Sequence, residues 1–161
     1  MIILGIDPGT ARLGWAILSR QNNHDDLIAS GSLDTPAHTL LGERLLLIGQ
    51  LIDTLVSQYH PDCAAVEDLF FARNVTTAIP VAQARGVVLY KLATHQIPAT
   101  SYTPTKIKSS LTGSGNADKK QVIFMVKQLV KVDPTVKLDD AFDAIAVALT
   151  HSQYSSARIN S

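Results

Sequence analysis

Residues 2–6 read Ile-Ile-Leu-Gly-Ile, an unbroken apolar run closed by an acid and a turn, Asp7-Pro8-Gly9. A bilayer span needs roughly 20 apolar residues, so this run cannot be one. The absence of a basic flank argues against a secretion signal. What fits is a buried strand whose chain reverses at Pro8-Gly9. A sheet therefore lies at the centre of the fold, and an acid stands at the end of one of its strands.

Two further strands follow over 13–18 and 27–33, joined through the polar segment Gln21-Asn22-Asn23-His24-Asp25-Asp26. Three strands in succession with hairpin-like connections predict an antiparallel start. Leu41, Leu45, Ile48, Ile52, Leu55 and Tyr59 then recur at alternating steps of four and three, one apolar stripe of a helix, and Pro61 ends it. Cys63-Ala64-Ala65-Val66 reads as a short buried strand with Glu67 at its carboxyl end. The rest predicts a helix over about 77–95, a strand near 99–102, a short helix from Pro104, and a loop at Gly113-Ser114-Gly115-Asn116. Helices over about 117–131 and 139–152 follow, with a short tail after about residue 153. Strands first, then alternating helix and strand, imply an α/β fold: a mixed sheet with helices on its faces.

With 161 residues, 46% of them hydrophobic and 17% charged, the chain fits one domain with a sizeable core, 1–161. It contains no internal repeat and no interdomain linker. Its single cysteine, Cys63, lies in an apolar run and reads as a small buried thiol of a reducing compartment, so the expected location is the cytoplasm. No stretch suits a membrane.

Net charge is zero, but its distribution is uneven. Nine basic residues fall between Arg73 and Lys131 (Arg73, Arg85, Lys91, Lys106, Lys108, Lys119, Lys120, Lys127, Lys131) against one acid, Asp118. Such segregation makes either a cationic surface beside an anionic pocket or merely a set of solvated helix faces.

The acids carry the chemistry. Asp7 must be solvated, paired or bound to a cation, since it closes an otherwise apolar strand. An Asp before Pro-Gly can also simply cap its own turn. Glu67 repeats the pattern at the end of a second core strand, while the adjacent Asp68 reads as a solvated loop acid. Ligand sites of open sheets with helical crossovers gather at the carboxyl ends of strands, so Asp7 and Glu67 can meet at one sheet edge. Asp139-Asp140-Ala141-Phe142-Asp143 opens the last helix, and Asp140 and Asp143 share a face that continues through Ala144 and Val147. Like charges at that spacing repel. A helix dipole offsets only about 0.3–1 kcal/mol per group, so either a divalent cation resolves the conflict or the acids only favour the helix start. Asp7, Glu67, Asp140 and Asp143 together form a set of hard oxygen ligands suited to Mg²⁺ or Mn²⁺, with no Cys or His cluster to suit zinc. None of the five histidines has ligand spacing with another; His151 is the least certain of them.

With these residues in view the sequence resembles the bacterial RuvC resolvases over nearly its whole length. The matching blocks are Ile-Leu-Gly-Ile-Asp-Pro-Gly-Thr (3–10), Val-Glu-Asp-Leu-Phe-Phe-Ala-Arg-Asn (66–74), Gln-Ala-Arg-Gly-Val (83–87) and Asp-Asp-Ala-Phe-Asp-Ala-Ile-Ala-Val-Ala-Leu-Thr-His (139–151). Their order and spacing make the combination specific. The resemblance implies an RNase H-like fold: a mixed five-stranded sheet, three antiparallel strands and then parallel ones, with helices on both faces. It implies an endodeoxyribonuclease of DNA recombination and repair that resolves four-way (Holliday) junctions by paired nicks in strands of like polarity. A homodimer, two Mg²⁺ per active site (with Mn²⁺ as a substitute) and a branch-migration complex, RuvA–RuvB, as partner are implied as well. By position, Asp7, Glu67, Asp140 and Asp143 fall on the family's catalytic, metal-binding acids, and Phe70 on an aromatic that engages junction bases. Lys108 and Lys119 fall on basic residues tied to DNA binding and catalysis; Arg73 and Lys120 join them as expected DNA contacts.

Lys119 and Lys120 are expected in the first turn of a helix, where a phosphate would meet free backbone N–H groups as well as ammonium groups. Of Phe70 and Phe71, one can be buried while the other stacks on a base. The chain departs from the family at Ile79-Pro80-Val81-Ala82, ahead of Gln-Ala-Arg-Gly. Pro80 suits the first turn of the second helix, which the resemblance implies in the dimer contact.

Three rivals are weaker. Shorter RuvC-like nucleases of RNA processing share the Asp-x-Gly-Thr start but not the Phe70 block or the closing Asp-x-x-Asp. Actin-type ATPases share the start but need two lobes, too much for 161 residues. A junction-binding module without activity would have no use for intact acids.

Overall fold

The computed structural model describes residues 1–69, 75–133 and 139–159, without the side chains of 75–77, 140 and 156–159. Phe70, Phe71 and Arg73 lie outside the described residues. The strands are β1 (Ile2–Asp7), β2 (Arg12–Gln21), β3 (His24–Asp34), β4 (Cys63–Glu67) and β5 (Ala99–Tyr102). They form one sheet in the order β3-β2-β1-β4-β5. β1 to β3 pair antiparallel, and β4 and β5 join parallel to β1, as expected. The helices are α1 (Leu41–Tyr59), α2 (Val75–Thr94), α3 (Pro104–Thr112), α4 (Lys119–Leu129) and α5 (Asp139–Ile159).

Strand alternation divides the core in two. Leu4, Ile6, Leu13, Ile17, Ala64 and Val66 point to one face, where α1 and α2 cover them with Ile48, Ile52, Leu55, Val88 and Leu92. Ile3, Ala16, Leu18, Cys63 and Ala65 point to the other, under α3, α4 and α5. Every described residue from Ala144 to Leu149 is buried, which accounts for an α5 that is apolar on nearly all sides at mid-length.

Three expectations need correction. The six-residue polar connector is mostly strand: only Asn22 and Asn23 turn, both with positive φ (47° and 63°), as a two-residue hairpin of the right twist requires. Gln21 ends β2, and His24, Asp25 and Asp26 open the edge strand β3, where exposed and partly buried positions alternate. Arg20 and Asp25 pair at 2.8 Å, and the Ser152 hydroxyl donates to Asp25 at 2.6 Å, fastening this hairpin to α5.

Second, α2 begins at Val75 and carries Pro80 inside it, not in its first turn. Pro φ is compatible with a helix, and the missing N–H leaves the carbonyl four residues earlier without its usual partner. Third, α5 runs to Ile159, past Ser152. Side-chain ties hold the extension: Ser110 Oγ donates to Gln153 Oε1 at 2.7 Å, and the Tyr154 ring stacks on Tyr102. No helix among the described residues is long and apolar enough to cross a membrane.

Candidate active site

Asp7 and Glu67 are the last residues of neighbouring parallel strands, whose register runs to Ile6 opposite Val66. Parallel pairing therefore brings both acids to the same carboxyl edge of the sheet. The third acid arrives from above. A Cβ on Gly5 would stand 2.4 Å from the Ala144 carbonyl oxygen and 2.7 Å from the Ala148 Cβ. Only glycine leaves room for α5 to lie so close on β1. Gly5 and Asp7 are two apart and share a strand face, and Ala144 follows Asp143 directly, so this contact sets Asp143 beside Asp7. Asp140 stands one turn earlier on α5; its side chain is not described.

Asp7, Glu67 and Asp143 line one cavity of about 320 Å³, together with Lys108, Lys119 and the apolar Ile107 and Val122. A larger cavity of about 710 Å³ opens along the start of α4. Its one acid, Asp118, caps that helix, so it lacks the carboxylate set and the smaller cavity is the candidate centre.

The electrostatics of the cavity are strained by design of its residue types. Burial pushes the Glu67 carboxyl up to about 8, helped by the negative charges of Asp7 and Asp143 and by a hydrogen bond with Asp7; the Lys108 ammonium opposes this. Near neutral pH a proton is thus shared at the Asp7–Glu67 edge. Lys119 Nζ lies 2.9 Å from Asp143 Oδ2 and 3.5 Å from Asp139 Oδ2. Partial burial pulls the Lys119 ammonium down, but the bond and charge of Asp143, with Asp139, outweigh it and the net shift is upward. Among the described residues no three Asp, Glu, His or Cys side chains stand close enough to form a complete metal-ligand group. The donor chemistry of Asp7, Glu67 and Asp143 nonetheless fits a hard divalent cation: three carboxylates crowd one cavity, and one of them holds a proton against its ordinary range.

Lys119 and Lys120 open α4 as expected, but Asp118 caps that helix, accepting from Gln121 N–H at 2.9 Å while Gln121 Oε1 accepts from Asp118 N–H. Lys119 turns into the acid cavity. Lys120 lines the larger one. Asp68, expected as a solvated acid, pairs with Arg85 at 3.1 Å and accepts from Leu69 N–H at 3.0 Å. The arginine of the Gln-Ala-Arg-Gly block was the only sequence signal for this pair. Several of the nine basic residues serve the fold: Lys91 pairs with Asp53 at 2.6 Å, and Lys127 lies over the Phe142 ring. His151 is a tie between elements, 3.3 Å from Cys63 Sγ and 3.0 Å from the Tyr102 hydroxyl. Burial, with the charge of Asp62, pushes the Cys63 thiol up to about 11, so it stays neutral.

A mixed five-stranded sheet of this order, with carboxylates at the ends of its first and fourth strands and on its last helix, defines a nuclease of the RNase H-like class. The family model for "Crossover junction endodeoxyribonuclease RuvC" matches residues 3–151. The protein of that name from Roseiflexus sp. (strain RS-1) is 46% identical over 149 residues, 92% of this chain and 89% of the relative. The one from Desulfitobacterium hafniense (strain DSM 10664 / DCB-2) is 43% identical over 152 residues, 94% and 92%. Among solved structures, T. thermophilus RuvC in complex with Holliday junction substrate superposes with a TM-score of 0.91 at 29% identity, covering 98% of this chain and 96% of that one. The yeast mitochondrial Holliday junction resolvase shares the fold, with a TM-score of 0.75 at 15% identity over 96% and 78% of the two chains. This chain belongs to the RuvC family of crossover junction endodeoxyribonucleases. It is a Holliday junction-resolving endonuclease of DNA recombination and repair. A divalent metal is the expected cofactor of such a nuclease.

Proposed function

We propose that Asp7, Glu67, Asp140 and Asp143 are the catalytic acids and hold two Mg²⁺ ions, for which Mn²⁺ can substitute. The observation that carries this is the meeting of Asp7, Glu67 and Asp143, from three different elements, in one cavity that also takes in Lys108 and Lys119. Bound divalent cations would supply activation of a water and charge stabilisation of the scissile phosphate and its leaving oxygen. The chain's own groups do the rest. Glu67, protonated in the metal-free cavity, would hold a cation as the carboxylate. Lys119, which stands 2.9 Å from Asp143 Oδ2, would offer its ammonium to a phosphate oxygen beside that carboxylate. Lys108, already near enough to act on Glu67, faces the same phosphate. Ile107 and Val122 keep the cavity wall apolar, which strengthens each of these charge interactions.

The substrate is the four-way junction, nicked by paired cuts in strands of like polarity. The junction complex of the T. thermophilus relative supports this. Paired cuts call for two centres, so the active species is a homodimer. Phe70, Arg73 and Lys120 are further DNA contacts, and a RuvA–RuvB branch-migration complex delivers the junction. The test is cutting of a four-way junction and of linear duplex, with Mg²⁺ and with excess EDTA. Junction cutting that EDTA abolishes, with duplex spared, is the expected result. Equal cutting of both substrates, or full activity in EDTA, overturns the reading.

A further inference from the structure

The Gln83-Ala84-Arg85-Gly86 block contributes no side chain to the acid cavity, yet Arg85 reaches the sheet edge where that cavity is built. From α2 its Nε donates to the Glu67 carbonyl oxygen at 3.2 Å and its Nη2 to Ser101 Oγ at 2.6 Å. The same Nη2 stands 3.1 Å from Asp68 Oδ1. One guanidinium thus joins α2, the end of β4 and β5. The guanidinium is largely covered, and its bond to the Glu67 carbonyl is part-buried, while the Ser101 and Asp68 ends of the fork lie at the surface.

The need for such a fork follows from where Glu67 sits. The register between β1 and β4 ends at Ile6 opposite Val66, so the Glu67 carbonyl has run past the ladder on that side. On the other side β5 holds it: Glu67 pairs with Tyr102, and Asp68 N–H donates to the Tyr102 carbonyl at 2.8 Å. A strand end secured from one side only can rotate about its axis, and a buried carbonyl there needs a donor. The Glu67 carboxylate lies several bonds out from this backbone, so a small rotation moves it by a large part of an ångström. A planar guanidinium presents donors from separate nitrogens in fixed directions and so spans these three oxygens, which the single nitrogen of a lysine cannot reach in the same geometry.

We propose that Arg85 is a positioning residue for Glu67, fixing the strand end so that the carboxylate meets Asp7 and Asp143 in register. This rests on the reading of Glu67 as a catalytic acid. Arg85 does not line the cavity, and its Nε and Nη2 are both committed within the protein, so its effect is expected on rate and not on DNA affinity.

The test uses the full chain, a four-way junction and Mg²⁺, with cleavage rate and junction Kd measured separately. Arg85→Ala is expected to lower the rate at saturating junction by about 10- to 100-fold, the scale of an ångström's misplacement. Junction Kd stays within about twofold, because phosphate contacts set it. The Mg²⁺ concentration for half-maximal rate rises, and added guanidinium at non-denaturing concentration restores part of the rate. Arg85→Lys recovers only part. Ser101→Ala, which removes one anchor of the fork, costs about two- to fivefold in rate, the scale of one hydrogen bond. Arg85→Ala in a Glu67→Gln background adds nothing further. Wild-type rate and Mg²⁺ dependence in Arg85→Ala overturn the proposal, as does a Kd that worsens in step with the rate, which would make Arg85 a DNA contact. Should Arg85→Ala not fold, wild-type rates in both Arg85→Lys and Ser101→Ala overturn it equally. Glu67→Gln run alongside separates the two claims: if that variant cuts normally, the reading of the acid has failed and not the geometry of the fork.

Discussion

The two faces of the sheet differ in how closely a helix approaches β1. Under α1 and α2 the contact is made of long aliphatic side chains, among them Leu4, Ile6, Ile48, Ile52 and Leu92, all buried. Under α5 large side chains are buried too, among them Ile3, Leu18, Ile145 and Leu149, but where α5 crosses β1 the contact is made by removing them: Gly5 faces Ala144 and Ala148 with no space for even a methyl group. Long side chains hold two layers apart and contribute burial free energy, about 1.5–3 kcal/mol each. Small residues contribute less and let one backbone settle on another. Both faces therefore contribute stability, and the Gly5 contact of the second also sets where Asp143 stands relative to Asp7. Stability and activity should respond separately to changes on the two faces.

The largest effects should come from the acids. Asp7→Asn, Glu67→Gln, Asp140→Asn and Asp143→Asn should each lower junction cleavage by more than about 100-fold, since even groups that only orient a metal ligand cost 10- to 100-fold. Junction binding should stay near wild type; melting temperature should not fall in Asp7→Asn or Glu67→Gln, where like-charge crowding is relieved, while Asp143→Asn also gives up the pair with Lys119. Normal cleavage in these variants would make the cavity structural.

Next comes the aliphatic face. Ile52→Ala should cost about 2–5 kcal/mol of stability, read by denaturant unfolding, with cleavage per folded molecule unchanged. Gly5→Ala should do the reverse in proportion: about 1–3 kcal/mol from overpacking, with a loss of cleavage greater than its loss of folded protein. If both variants lose activity only as far as they unfold, the two faces do not differ as described.

A smaller effect concerns pH. Glu67 is held up to about 8 in the fold by burial and by the charges of Asp7 and Asp143, against about 4.5 for the free group. A carboxyl raised on folding stabilises the fold fully below its unfolded value, and that stability is lost as pH rises through the folded value. The metal-free protein should therefore lose melting temperature between about pH 4.5 and 8. Glu67→Gln should flatten that decline. A profile identical in both would remove Glu67 as its source.

The smallest effect is Lys108→Ala, which should weaken junction binding modestly and reduce the log–log salt slope by about one. An unchanged slope would take Lys108 off the phosphate.

Much of this was legible in the sequence because it rests on local rules. The α1 stripe, the order of the strands and the acids closing β1 and β4 all follow from periodicity and from where polarity interrupts it. The sheet edge shared by Asp7 and Glu67 follows from parallel pairing. What escaped depends on partners far along the chain. The polar residues around Asn22-Asn23 look like a loop until Arg20, Asp25 and Ser152 are seen to fasten them to α5. Lys119 looks like a phosphate ligand at a helix start, and only the approach of α5 turns it to Asp143. Pro80 inside α2 defies a local preference that the surrounding helix overrides. The Asp68 side chain is partly exposed, as expected, but its pair with Arg85 was not legible because that partner is 17 residues on.

The central claim is that Glu67, Asp7 and the α5 acids form one cation site that is protonated when metal-free. Its most direct measurement is titration of Mn²⁺ into DNA-free protein at pH 7, with proton release followed in buffers of different ionisation enthalpy. At a folded value of about 8 for Glu67, wild type should release close to one proton per site on loading. Glu67→Gln should bind more weakly and release almost none. Equal proton release by the two proteins, or binding that survives loss of the carboxylate undiminished, would contradict the account.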